Sequence, residues 1–295
     1  MKLSIRHSNW LWAYCFIAPT VLGLYLFYLY PIAVSVFYSF TKWNPLISPE
    51  FIGLENYRRI FTEPVVLNEL FNTFFFVILI VPSTVIISLI IANALNRASR
   101  LNGIFRTIFF LPYIILPVAT AQVWRIMFNS RFGLINALLN MLNLPQPLWF
   151  EDKWLVRFII IISSLWGSIG YYSIIVLSGL QNIPEQYYEA CELDGGNSWH
   201  KFRNITVPLV TPQLFFTATI SAIGIFQLFN PIYVFGKANI FVRESIRTLA
   251  FGVYERGFTY FEMGFASAEA IILCLIILLV TIIQNIGQKK WVYYN

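Results

Sequence analysis

From Trp10 to Phe40 the chain carries no charged side chain. A helix needs about 20 mostly apolar residues to cross a bilayer, so this stretch alone commits the chain to a membrane. Inside lipid every backbone N–H and C=O must be satisfied within the protein, which leaves only helices and closed barrels as spanning structures. Five more long apolar segments follow. The expected spans are residues 12–30, 71–95, 108–128, 157–180, 209–235 and 263–286, in one transmembrane domain covering 1–295. The fold class is therefore all-α, a polytopic membrane protein with six transmembrane helices. Composition agrees: 12% of residues are charged and 58% hydrophobic, against about a quarter charged in soluble domains.

The first run exceeds one span, so the helix tilts or Pro31 starts an outer extension. Lys2 and Arg6 precede it, but the run is too long for a signal peptide and lacks a small-residue cleavage site, so it is expected to remain as an anchor. A polar loop, Thr41 to Glu69, follows. Span two is expected to break near Pro82, and it ends in Asn96-Arg97-Ala98-Ser99-Arg100. Span three holds Pro112 and Pro117; prolines free backbone carbonyls, which places this span against neighbouring helices or a cavity. A second outer loop, Phe132 to Val156, is expected to carry a surface helix from Asn136 to Leu142. In span four Ser163, Ser164, Gly167, Ser168 and Gly170 allow close helix contact. The loop before span six contains Arg243, Glu244, Arg247, Glu255 and Arg256, and Lys289-Lys290-Trp291 closes the chain's last span. An even number of spans puts both termini on one side. The denser Lys and Arg of the shorter segments favour the cytoplasm for that side.

The longest polar interruption of the second half is Ile183 to Pro212, with residues 183–207 as a cytoplasmic loop. Pro184 and Glu185 suit the start of a short helix reaching Asp194. Gly195 and Gly196 break it, and Asn197 or Ser198 caps a second helix through Trp199, Phe202 and Ile205 to Pro208. Tyr188 shares a face with Cys191 and Glu192.

Glu189-Ala190-Cys191, Asp194-Gly195-Gly196, Phe202, Ile205, Pro208 and Pro212 resemble the EAA-loop signature of the membrane permease subunits of binding-protein-dependent ABC importers. Cys191 and Gly196 stand where that signature has alanines, and both are small. The resemblance implies the type I permease fold, both termini in the cytoplasm and a coupling helix seated in a groove of a cytoplasmic ATPase, with Tyr188, Glu189, Ala190, Asp194, Gly195, Trp199 and Phe202 at the contact. The alternative is an amphipathic loop on the lipid surface; the excess of Glu185, Glu189, Glu192 and Asp194 over Lys201 and Arg203 opposes attachment to anionic lipid. FIGLENYRRIF in the first loop, Asn-Thr-Phe opening span two and FFLP in span three resemble sugar permeases of the maltose and glycerol-phosphate type. The implied partners are a second permease, two ATPase subunits that hold ATP and magnesium, an external solute-binding protein, a sugar and membrane lipid, in a bacterial or archaeal plasma membrane. This chain itself is expected to bind no cofactor. Alternatives are an ABC permease for a peptide, polyamine or ion, and a non-ABC carrier or scaffold.

The residues argue against enzymatic chemistry. The nearest Gly-Lys pair, Gly236-Lys237, is followed by Ala238, so no Walker A phosphate loop is present. His7 and His200 do not make an HExxH zinc site. Cys15, Cys191 and Cys274 show no paired spacing, and the net charge of +6 is dispersed among loops rather than gathered for nucleic acid. Polar groups inside spans are costly in lipid and mark a solute path. In span five Gln227 and Asn230 lie among Phe226, Phe229 and Tyr233, where amides can bond hydroxyls and rings can stack on sugars. Span six offers Glu269, and span four Trp166, Tyr171 and Tyr172. For each the alternative is helix packing, and for Glu269 an internally paired acid.

Overall fold

The structure, a computed structural model, describes residues 2–96, 102–237 and 240–292. Residues 97–101, with the arginines expected to mark the inner side, lie outside the described residues, as do the side chains of Lys2, Arg6, Lys290 and Trp291. The chain forms two compact units, residues 1–62 with 253–272 and residues 63–252 with 273–295.

In the first unit α1 (Lys2–Leu24) passes through a π-helical turn, Tyr25–Leu29, into α2 (Tyr30–Ser39). Pro31 lies in the first turn of α2, directly after the π turn, and helical structure runs on through it, so that the candidate span covers Trp12–Ser39. A hairpin follows, β1 (Thr41–Asn44) against β2 (Ile47–Phe51), then α3 (Glu55–Thr62). The segment FIGLENYRRIF owes its composition to this corner. Gly53 takes φ +63°, a conformation only glycine adopts freely. The buried Asn56 amide donates to the Ser39 and Thr41 carbonyls, both at 2.9 Å, and the Tyr57 hydroxyl lies 2.7 Å from Ser39 Oγ. Arg59 covers the Phe265 ring at 4.1 Å and lies 3.7 Å from Glu262.

In the second unit α4 (Pro64–Asn96) runs unbroken through Pro82, beginning well before the expected residue 71. One proline removes a single backbone hydrogen bond, and the turns on either side hold. After α5 (Asn102–Ile114) the chain bends by 97° into α6 (Pro117–Met127). Span three is thus a broken pair. Pro117 forces Leu116 out of helical geometry, to ψ 123°, whereas Pro112 stays within α5. The outer-loop helix α7 covers Leu134–Met141, and α8 (Lys153–Gln181), capped by Asp152, packs along α4. Gly170 is where α5 crosses α8: a Cβ there would overlap the Phe109 carbonyl.

The polar interruption forms α9 (Glu185–Leu193), α10 (Ser198–Lys201), a π turn Phe202–Thr206 and α11 (Val207–Leu209), so helical structure continues through Pro208. Span five, α12 (Thr211–Phe226), stops at Gln227 and resumes as α13 (Asn230–Gly236). The loop expected after it is folded into α14 (Ile240–Ile246), α15 (Leu249–Tyr254) and a π turn Glu255–Thr259, before α16 (Met263–Trp291). Among the described residues, five helices are long and apolar enough to cross a membrane, or six with the bent α5–α6 pair.

A buried polar cluster pins the α14–α15 connection. Arg247 pairs with the fully buried Glu69 at 2.8 Å, and Arg157 donates to Asn72 at 2.6 Å and to the Ser245 carbonyl at 3.0 Å. Asn72 in turn donates to the Arg247 carbonyl, and Thr73 Oγ1 accepts from Leu249 N. The Asn-Thr pair opening span two therefore closes the hydrogen bonds of this irregular connection.

Candidate functional site

The loop between α8 and α12 is a braced pair of short helices. Pro184, in extended geometry, caps α9, and Asp194 ends it. Gly195 follows at φ +79°, the left-handed residue that turns the chain. Asn197 Oδ1 accepts from His200 N at 2.9 Å and starts α10. Lys201 pairs with Glu192, and the Tyr188 hydroxyl meets Thr206 Oγ1 at 3.1 Å, so α9 is fastened to the segment entering α12. Cys191 and Gly196 prove to be complementary. A Cβ at Gly196 would overlap Cys191 Sγ and the Cys191 carbonyl oxygen, so sulfur and backbone together fill the volume that an alanine at 196 would need.

The residues expected at the ATPase contact divide between inside and outside. Glu189, Ala190, Asp194, Gly195 and Trp199 are exposed, while Tyr188 and Phe202 are half-buried. Trp199, 66% exposed, stacks on Phe202 at 5.8 Å. Leu193 at the end of α9, which sequence reasoning did not single out, is 89% exposed. Its position on α9 one turn after Glu189 and Ala190 was the available signal.

The second place of interest is a cavity of about 340 Å³ where the two broken helices meet. The α5–α6 bend contributes Tyr113 and Thr120, the α12–α13 break contributes Gln227, Phe229 and Asn230, and α8 supplies serines and Tyr172. Of the residues expected on a solute path, Gln227, Asn230 and Tyr172 line it. Phe226 is buried edge-on to Phe74, Tyr233 stacks on Phe229 under the Lys237 ammonium, and Trp166 lies against Trp124. Glu269, in the first unit, is fully buried and pairs with Arg256 at 2.8 Å. Sequence reasoning missed Tyr113, Thr120 and Ser221 as wall residues and read Ser163, Ser164, Gly167 and Ser168 as packing. The signal was the proline at each break, since freed carbonyls need a polar space. The wall offers hydroxyls, amides and ring faces with which it can hold a solute.

A profile of the family described as "Binding-protein-dependent transport system inner membrane component" matches residues 61–292. The chain belongs to that family. This inner membrane component is 36% identical over 295 residues to the probable ABC transporter permease protein YesP of Bacillus subtilis, covering 99% of this chain and 94% of the relative. It is 32% identical to the arabinooligosaccharides transport system permease protein AraP of Halalkalibacterium halodurans, covering 92% and 85%. Its fold matches a chain of a bacterial ABC transporter involved in the import of the acidic polysaccharide alginate, with TM-score 0.87, 19% identity and coverage of 98% and 99%.

Proposed function

We propose that this inner membrane component is the sugar-translocating permease subunit of an ATP-driven importer, working by alternating access. Solute passes along the cavity wall formed by Tyr172, Gln227 and Asn230. The α9–α10 loop is the handle through which two separate cytoplasmic ATPase subunits, which bind ATP and magnesium, move this chain against a second permease. An external binding protein delivers the sugar, and both termini face the cytoplasm. Glu269 is assigned to bracing by Arg256 rather than to solute.

One observation carries the coupling: exposed Trp199 and Leu193 sit on helices rigidly tied, through Tyr188–Thr206 and Glu192–Lys201, to the start of the span that borders the cavity. Force applied to such a loop reaches α12 without loss in a soft joint. A photo-crosslinker at Trp199 or Leu193 in intact membranes tests this. It should capture an ATP-hydrolysing neighbour, and Gly195→Pro should abolish uptake while the chain remains in the membrane. Capture of lipid alone, or undiminished uptake by Gly195→Pro, refutes the role.

A further inference from the structure

Relatives of this chain are named for lactose and arabinooligosaccharides and for glycerol 3-phosphate, and a structural neighbour for alginate, so the likenesses leave the charge of the cargo open. The cavity wall of this chain bears on it. Among the described residues, the lining contains no Asp, Glu, Lys, Arg or His. Its polar groups are hydroxyls and amides, which donate and accept without preference for sign. Two of them, Thr120 Oγ1 and Ser164 Oγ, are buried with no hydrogen-bond partner in the protein. A desolvated hydroxyl left unpaired is unfavourable by about 1–3 kcal/mol. Tyr113, stacked on Tyr171 at 4.3 Å, and Phe229 provide ring faces, which suit the C–H face of a sugar.

A carboxylate or phosphate ester in this space would meet no counter-charge from the chain. Removing an ion from water is unfavourable by several kcal/mol unless it is paired. The start of α6 at Pro117 borders the cavity, yet a helix end presents only about half a unit charge. The neighbouring arginines of the same helical pair, Arg106 and Arg125, line no part of it.

We propose that the cargo is an uncharged saccharide, and that uronates and sugar phosphates are excluded. This rests on the reading of the cavity as the solute path. The test uses cells carrying the complete transporter, with this chain, its partner permease, the ATPases and the binding protein. They are offered a neutral pool containing lactose and arabinooligosaccharides and an acidic pool containing alginate oligosaccharides and glycerol 3-phosphate. Depletion is followed by mass spectrometry against cells lacking the chain. Depletion of the neutral pool alone is expected, with Gln227→Lys and Gln227→Glu each lowering it about tenfold or more, since no cargo charge distinguishes them. Depletion of the acidic pool, no depletion of the neutral pool, or opposite effects of Lys and Glu overturns the proposal. Gly167→Phe separates the two levels, because a Cβ at Gly167 meets open space and membrane abundance on immunoblots reports whether the variant folds. Depletion that survives it defeats the cavity as the path, whereas acidic depletion that it abolishes defeats only the neutrality.

Discussion

Replacing Arg256 tests how a buried carboxylate is tolerated in the first unit. Glu269 is fully buried, and the Arg256 side chain, 6% exposed, touches both its carboxylate oxygens at 2.8 and 2.9 Å. The Arg256 guanidinium also lies 5.2 Å from the Phe265 ring centre. With so little water at either group, Arg256→Met leaves a charge that cannot be solvated, and breaking such a pair destabilises by about 3–5 kcal/mol. That is a large part of the roughly 5–15 kcal/mol by which folded proteins exceed their unfolded states. The double variant Arg256→Met/Glu269→Leu removes both charges and keeps the volume, so its stability should return to within about 1 kcal/mol of the parent or exceed it. Unfolding midpoints of the detergent-solubilised transporter measure the cycle, and uptake in cells measures the consequence. A harmless Arg256→Met, or a double variant no more stable than the single one, would refute the reasoning. A double variant that is stable but transports nothing would make Glu269 a solute contact instead.

Gly196→Ala should disturb the coupling loop, because its new methyl group collides with Cys191 Sγ and with the Cys191 carbonyl oxygen; adding Cys191→Ala removes only the first clash and should restore uptake in part, measured as a double-mutant cycle. Gly195→Ala, forced to hold φ +79°, should destabilise the loop by about 1–2 kcal/mol, and Gly195→Asn by less, read as uptake at constant membrane abundance. Gly170→Ala should reduce membrane abundance by driving α5 off α8 at the Phe109 carbonyl, while Gly167→Ala, facing open space, should leave abundance unchanged on immunoblots. Asn72→Leu should leave Arg157 with an unmet donor and the Arg247 carbonyl without its amide. The expected loss is about 1–3 kcal/mol in the unfolding midpoint.

Runs of apolar residues longer than a bilayer is thick determined the membrane class and the approximate position of each span, because lipid permits only one backbone solution for such a segment. Local chemistry was equally legible in the α9–α10 loop: Gly195 turns the chain and Asn197 caps, as their side chains dictate without reference to anything distant. The prolines were not legible one by one. Pro31 and Pro112 are carried inside helical structure and Pro82 leaves α4 unbroken, yet Pro117 stands at a 97° bend. The difference lies in what surrounds the carbonyls each proline frees, and only packing decides that. The same holds for the serines of α8, where Gly170 is a contact and Gly167 an open wall. Glu69 with Arg247, and Asn72 with Arg157, are far apart in sequence. Their pairing exists only once α4, α8 and the α14–α15 connection have been brought together, since a buried charge is tolerable only beside its partner.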